Sequence, residues 1–251
     1  MKIIGSDYDG TLNHNGIDDK KKKAIQSWRD AGNIFALISG RGIESVLEIY
    51  KEKQFPCDYL IADNGAVIMK TDGSIISDVR CDAELTVPLF KLLFKCGCRW
   101  GHIQTSFSCR IYDDADDCED DDEFTLENMP DIPYFNQIST ELPDFETAAE
   151  VTACIKEHFG KKLNPLQNGT CIDIVRADMN KAKGLYILME HLGANYDDII
   201  VVGDNINDRD MIKEFRSYAM ENGVDVIKEL ADYVTPGVAE LISKELAQQS
   251  I

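Results

Sequence analysis

Basic residues are scarce: 26 Lys and Arg stand against 45 Asp and Glu, giving a net charge of −19. No cationic stripe interrupts that acidity. Such a chain repels a phosphate backbone, so nucleic acid is not an expected partner. The densest basic run, Lys20 to Lys23, directly follows Asp18 and Asp19 and reads as the exposed start of a helix. Long apolar runs are also missing. No window approaches the ~18 residues that a membrane-spanning helix needs. The apolar stretch at the N-terminus meets charge at Asp7 and is too short for a secretory leader. The eight cysteines form no CxxC pair, and the four histidines stand at no ligand spacing from them, which argues against zinc. Free thiols, a cytoplasmic location and no membrane partner are therefore expected.

What the chain does contain is a rhythm of short apolar strands and amphipathic helices at both ends. Strands are predicted at Ile3 to Asp7, Ile34 to Ile38 and Tyr59 to Ala62, and a hairpin joins Ala66 to Met69 with Ile75-Ile76 through Asp72-Gly73. Ala24, Ile25, Trp28 and Ala31 follow helical spacing, with Gly32 as the stop. A second helix is predicted near Ile43 to Tyr50. The rhythm returns with a helix from Asn180 to Leu192 and a β-branched strand from Ile199 to Val202. Consecutive βα units predict an α/β fold with a parallel sheet and helices on both faces. Between the two ends the pattern changes. Helix-like stretches (Leu85 to Leu93, Phe145 to His158) mix with strand-like ones (Arg99 to Gln104, Phe107 to Tyr112, Cys171 to Val175). Residues 1–80 and 178–251 are thus expected to form one unit, and 81–177 an inserted α+β unit. Asp113 to Glu123 carries nine acidic residues in eleven but no glycine where a calcium loop needs one, so a solvated loop is expected.

Four motifs sit where strands end, the place where open α/β sheets bind ligands. Asp7-Tyr8-Asp9-Gly10-Thr11 puts two carboxylates just past a strand, with Gly10 to let the backbone swing away. Ser39-Gly40-Arg41 offers a hydroxyl and backbone N–H groups ahead of a helix, a cradle for phosphate. Asn180-Lys181-Ala182-Lys183-Gly184 places a lysine at a helix start, where the helix dipole disfavours it unless an anion is near. Gly203-Asp204-Asn205-Ile206-Asn207-Asp208 adds two more carboxylates after another strand. Acidic groups gathered from separate strand ends repel one another unless a cation sits among them, and oxygen ligands of this kind suit Mg²⁺.

Taken in order, the four motifs resemble those of the haloacid dehalogenase superfamily of phosphatases, along the whole chain. The Asn64-Gly65-Ala66 segment before the hairpin, the GDxxND form of the fourth motif and the large insertion between motifs two and three are similar to its Cof-type branch. The resemblance implies a Rossmann-like core with an inserted α+β cap of type IIB. It implies a Mg²⁺-dependent phosphatase that hydrolyses small phosphomonoesters, sugar phosphates among them, through an aspartyl-phosphate. Asp7 would be the nucleophile and Asp9 the general acid and base. Mg²⁺ would lie on Asp7, the backbone carbonyl of Asp9, and Asp204, with Asp208 ligating or orienting water. Ser39, Gly40, Lys181 and Asn207 would hold the phosphoryl oxygens. Lys181 fits the family lysine better than Lys183, counted back from the helix end. Trp100, His102 and Arg110 are candidate contacts on the cap. The expected partner is a small phosphorylated metabolite. The alternatives are a phosphosugar mutase like phosphomannomutase, and a non-enzymatic phospho-acceptor or binding protein. The first would need a cap that clamps a second phosphate. Asp9 weighs against the second, because an acid–base catalyst shortens the life of a phosphoaspartate.

Overall fold

Ile3 and Ile4 are both fully buried, and as neighbours on a strand they point to opposite faces. The first strand is therefore covered from both sides, as its unbroken apolar run requires. The computed structural model describes residues 1–105, 108–120 and 122–249. The chain opens with β1 (Ile3–Asp7), α1 (Asp19–Asp30), β2 (Ile34–Ile38), α2 (Ile43–Lys53), β3 (Tyr59–Ala62), β4 (Val67–Lys70) and β5 (Ile75–Asp78). It continues through β6 (Cys81–Asp82), α3 (Thr86–Lys95), β7 (Trp100–Gln104), β8 (Ser108–Tyr112), β9 (Glu123–Thr125), β10 (Tyr134–Phe135), β11 (Gln137–Glu141), α4 (Phe145–Phe159), β12 (Leu163–Asn168) and β13 (Cys171–Arg176). It closes with α5 (Lys181–Leu192), β14 (Ile199–Gly203), α6 (Arg209–Glu214), β15 (Arg216–Met220), α7 (Asp225–Leu230), β16 (Tyr233–Thr235) and α8 (Val238–Gln249).

Two compact units result, one of Met1–Ser77 with Lys181–Ile251 and one of Asp78–Asn180. In the first, an eight-stranded sheet runs β16-β15-β14-β1-β2-β3-β4-β5. Pairing is parallel from β16 to β3, and β4 is antiparallel to β3. The hairpin predicted around Asp72-Gly73 supplies the antiparallel end, with Lys70 N–H bonded to the Ser74 carbonyl at 2.9 Å. One face of the sheet packs Ile4, Phe35, Leu37, Leu60 and Val202 against Ile25 and Trp28 of α1 and Leu241 of α8. The other packs Ile3, Ala36, Ile38, Ile61 and Val201 against Leu185 and Leu188 of α5 and Met211 of α6. Asp18 caps α1 by accepting from Lys21 N–H at 2.9 Å, an interaction that contributes about 1 kcal/mol. Strand order positions the site: β1 lies between β14 and β2, so the chain leaves it in both directions along the sheet. A crevice opens at such a reversal, beyond the carboxyl ends of the strands.

The second unit is built on a six-stranded sheet, β12-β13-β11-β7-β8-β9, beside a two-stranded pair, β10-β6. Ile103, Ile111, Ile138, Ile172 and Ile174 share one buried cluster with Leu89 and Phe90 of α3 and Val151 and Ile155 of α4. Arg110, His102, Ser139 and Asp173 stand in register across β8, β7, β11 and β13. The short β6, β9 and β10, together with β11 and β12, were not anticipated from sequence. In β12, Pro165 breaks the usual strand signature, and it is tolerated because β12 is an edge strand that can spare a donor. In the acidic run, Ala115–Asp117 forms one tight helical turn and Glu123 begins β9. Phe107 of the predicted strand and Asp121 of the acidic run lie outside the described residues. Among the described residues no helix is long and apolar enough to cross a membrane, and all eight cysteines are free thiols.

Candidate active site

Asp7 is the last residue of β1 and is only 5% exposed. Beyond it the chain turns through Tyr8–Leu12, with Gly10 at φ +79°. A Cβ on Gly10 would stand 2.3 Å from Oδ2 of Asp204, so both the backbone angle and the close approach demand glycine. The same loop is tied down twice. Thr11 Oγ1 donates to Asp204 Oδ1 at 2.7 Å, and Asn222 Nδ2 donates to the Gly10 carbonyl at 2.9 Å.

Asp204 follows β14, the parallel neighbour of β1, and this brings the two carboxylates to one crevice. Asp208 is fully buried one short turn later. Its Oδ2 accepts from the N–H groups of Asp204 (2.9 Å) and Asn205 (3.1 Å), which shapes the loop. Gly203 makes room for this, since a Cβ there would lie 2.4 Å from Asp208 Oδ2. The other oxygen of Asp208 accepts from Lys181 Nζ at 2.6 Å, and Lys181 Nζ also donates to Asp7 Oδ1 at 2.7 Å. Lys181 is the first residue of α5 and is 1% exposed, whereas Lys183 is on the surface. A cation at a helix start works against the helix dipole. Here two buried carboxylates outweigh that opposition.

Ligand atoms of Asp7, Asp204 and Asp208 all lie within 4.8 Å of one another. Lys181 is the one ion-pair partner of Asp7 and of Asp208 among the described residues. The electrostatics derive from that imbalance. Burial, then the Asp208 charge, pushes Asp7 well above the usual carboxylate range, with Lys181 pulling the other way. Burial also raises Asp204, opposed by the Thr11 hydroxyl and aided by Asp208. For Lys181, burial pulls downward but the two carboxylates prevail and hold it charged. Three oxygen-bearing anions around one ammonium leave room for two more positive charges. The donor set fits a hard divalent cation.

Ser39 is buried just after Ile38, the residue of β2 that pairs with Asp7. Its Oγ accepts from Arg41 N–H at 3.1 Å, so its own proton is left to donate elsewhere. Gly40 is half-buried in the same turn, and Asn207 is half-buried in the turn Ile206–Asp208. The Asp9 side chain is not gathered with the other carboxylates. It is half exposed and faces Arg41, whose Nε and Nη2 donate to its two oxygens at 2.7 and 2.9 Å. Sequence reasoning passed over Arg41 as a partner, and over Thr11 and Asn222 as braces. It also passed over Asp63, and read Asn64 only as part of a segment resembling the Cof-type branch; both are buried in left-handed conformations, at φ 50° and 51°. Their N–H groups donate to the carbonyls of Arg41 (2.9 Å) and Ser39 (3.1 Å) and so hold the second motif in place. An Asp-Asn-Gly run directly after a strand was the available signal, because Asn and Asp accept positive φ more readily than other side chains.

Known proteins share both this sequence pattern and this architecture. Residues 4–241 match the sequence profile of the haloacid dehalogenase-like hydrolases. A 5-amino-6-(5-phospho-D-ribitylamino)uracil phosphatase of Bacillus subtilis is 27% identical over 96% of this chain and 94% of its own length. Among solved structures, a haloacid dehalogenase-like hydrolase from B. subtilis superposes with a TM-score of 0.83 at 19% identity, covering 97% of this chain and 99% of the other. A subclass IIB sugar phosphatase of the same superfamily gives 0.78 at 18% identity, covering 97% and 98%.

Proposed function

This chain belongs to the haloacid dehalogenase-like hydrolases and is a phosphatase, and from that footing we propose that it hydrolyses small phosphomonoesters with Mg²⁺, through a phosphoryl group carried on Asp7. The observation that carries the reading is the buried Asp7 carboxylate, bonded to Lys181 at 2.7 Å with Asp204 and Asp208 alongside. Asp7 attacks phosphorus, the ester P–O bond breaks, and the leaving alkoxide takes a proton from Asp9. Asp9, now a carboxylate, takes a proton from the water that attacks the phosphoaspartate, which frees inorganic phosphate and restores Asp7. Splitting one displacement into two lowers the barrier to each. To serve as the acid, Asp9 exchanges Arg41 for the substrate oxygen. Ser39, the Gly40 N–H, Lys181 and Asn207 hold the phosphoryl oxygens. Asp7, Asp204 and the Asp9 carbonyl would hold Mg²⁺, and Asp208 fixes Lys181 and the 204–205 backbone. When bound, the metal offsets the repulsion between Asp7 and a phosphate dianion.

Phosphorylated sugars or sugar alcohols are the favoured substrates, because the B. subtilis relative is named for a ribityl phosphate and a structural neighbour for sugar phosphates. The test is phosphate release from a panel of sugar, polyol, nucleotide and cofactor monoesters, with Mg²⁺ and with EDTA. Release that needs metal and falls ~1,000-fold or more in Asp7→Asn supports the reading. Full activity in EDTA, or in the Asp7 variant, overturns it.

A further inference from the structure

In the inserted unit, Cys96 directly follows α3 and Cys154 lies in the last turns of α4, and their sulfur atoms are 3.7 Å apart. Both side chains are half-buried and so within reach of a small reagent, whereas Cys57, Cys81, Cys98 and Cys109 are buried. Neither position is loose. Cys96 N–H bonds to the carbonyls of Leu92 and Leu93 at 3.0 Å. Leu89, Phe90 and Leu93 of α3 share one core with Ala148, Val151 and Ile155 of α4. The two thiols are thus held face to face by helices already packed together.

A third group completes the arrangement. Nδ1 of His158, one helical turn beyond Cys154, is 2.9 Å from the Cys154 carbonyl oxygen and 3.8 Å from its sulfur. A carbonyl can only accept, so Nδ1 carries a proton, and that N–H stands where it can donate to a thiolate on Cys154. The His158 N–H beside the Cys154 sulfur favours the thiolate there and makes Cys154 the first to attack, while burial, with the Cys154 thiol beside it, pushes the Cys96 thiol upward.

We propose that Cys96 and Cys154 form a reversible intramolecular disulfide, assisted by His158, with a small disulfide of the glutathione kind as oxidant. The Cys154 thiolate attacks one sulfur of the oxidant, whose S–S bond breaks to release one thiolate. Cys96 then gives up its proton and attacks the Cys154 sulfur, expelling the second glutathione. Two protein thiols are oxidised and one glutathione disulfide is reduced to two thiols. The gap closes from 3.7 Å to a bond of about 2.05 Å. The bond would fasten α3 to α4 within the inserted unit and leave the carboxylate cluster, which belongs to the other unit, chemically untouched.

The experiment equilibrates the full chain in glutathione buffers from reducing to oxidising, alkylates the remaining thiols and maps the digest by mass spectrometry. The expected product is one intramolecular Cys96–Cys154 bond that dithiothreitol reverses, with a melting midpoint raised by about 5 °C. In Cys96→Ser the reaction stops with glutathione on Cys154. In His158→Gln the bond forms about fivefold more slowly. A wild-type protein that keeps all eight thiols, or whose bond maps to another pair or joins two molecules, overturns the assignment. An unchanged rate in His158→Gln removes the histidine from it.

Discussion

The guanidinium of Arg41 grips both oxygens of Asp9, at 2.7 and 2.9 Å, and turns that carboxylate away from Asp7 only two residues before it. The pair is about half exposed on each side, so it contributes little to stability, on the order of 0–1 kcal/mol. Its significance is positional. Arg41→Ala is expected to leave the melting midpoint within ~2 °C while lowering kcat about tenfold, as Asp9 loses its fixed starting point. Steady-state kinetics beside a thermal scan separate the two effects. A large loss of stability with kcat unchanged would make Arg41 a structural residue only.

Lys181 and Lys183 should behave oppositely. Removing the buried ammonium in Lys181→Ala leaves Asp7 and Asp208 facing each other without their shared partner. Breaking a buried pair in this way costs roughly 3–5 kcal/mol, and activity should vanish with it. Lys183 is exposed, and its alanine variant should stay within about 0.5 kcal/mol of wild type. Denaturant titration of both variants checks this.

Mg²⁺ should stabilise the metal-free protein, because Asp7, Asp204 and Asp208 crowd within 4.8 Å around a single ammonium. At a hundredfold excess over the dissociation constant the gain is about 2.7 kcal/mol, or roughly 5–10 °C. Asp204→Asn should abolish the shift, as read by scanning calorimetry in EDTA and in Mg²⁺. A shift of equal size in that variant would place the cation elsewhere.

Thiol reactivity should sort the cysteines by burial. Burial raises Cys57 and Cys81 to about 12, and Cys98 and Cys109 to about 11. The thiolate is the reactive form, so at pH 8 only ~0.01–0.1% of these four is reactive, and labelling should rise tenfold with each pH unit. Exposed Cys171 should be alkylated well before these four. Timed iodoacetamide labelling under reducing conditions, followed by peptide mapping, gives the order.

The order of strands and helices in the first unit was legible because β1, β2, β3 and β14 are apolar runs buried almost throughout, and each meets a glycine or a carboxylate at its end or within two residues of it. Asp7 and Asp204 could be placed at strand ends for the same reason. The choice between Lys181 and Lys183 is of another kind. Two residues apart on a helix point about 200° from each other, so only one can be buried, and which one depends on where α5 lies on the sheet. The Asp9–Arg41 pairing was hidden because it is a matter of side-chain rotamers. Thr11 and Asn222 were hidden because what they bond, Asp204 and the Gly10 carbonyl, is 193 and 212 residues away. In the second unit β12 was masked by Pro165, and β6 and β10, at two residues each, are too short to show a period.

The position of β1 between β2 and β14 has a consequence for how the protein is made. One edge of β1 is covered by residues 34–38, but the other waits for residues 199–202. At 5–20 residues per second of synthesis, roughly ten to thirty seconds separate the two events. Throughout that interval residues 78–180 leave the ribosome as a complete unit, while the first strand keeps an open edge. Lys181, 174 residues beyond Asp7, emerges near the end of it. The nascent chain must therefore shield a sticky strand long before its partner exists, and the site is among the last parts to be assembled. A prematurely terminated product carries Asp7 without Lys181, Asp204 or Asp208, and so lacks the cluster that the proposed hydrolysis needs.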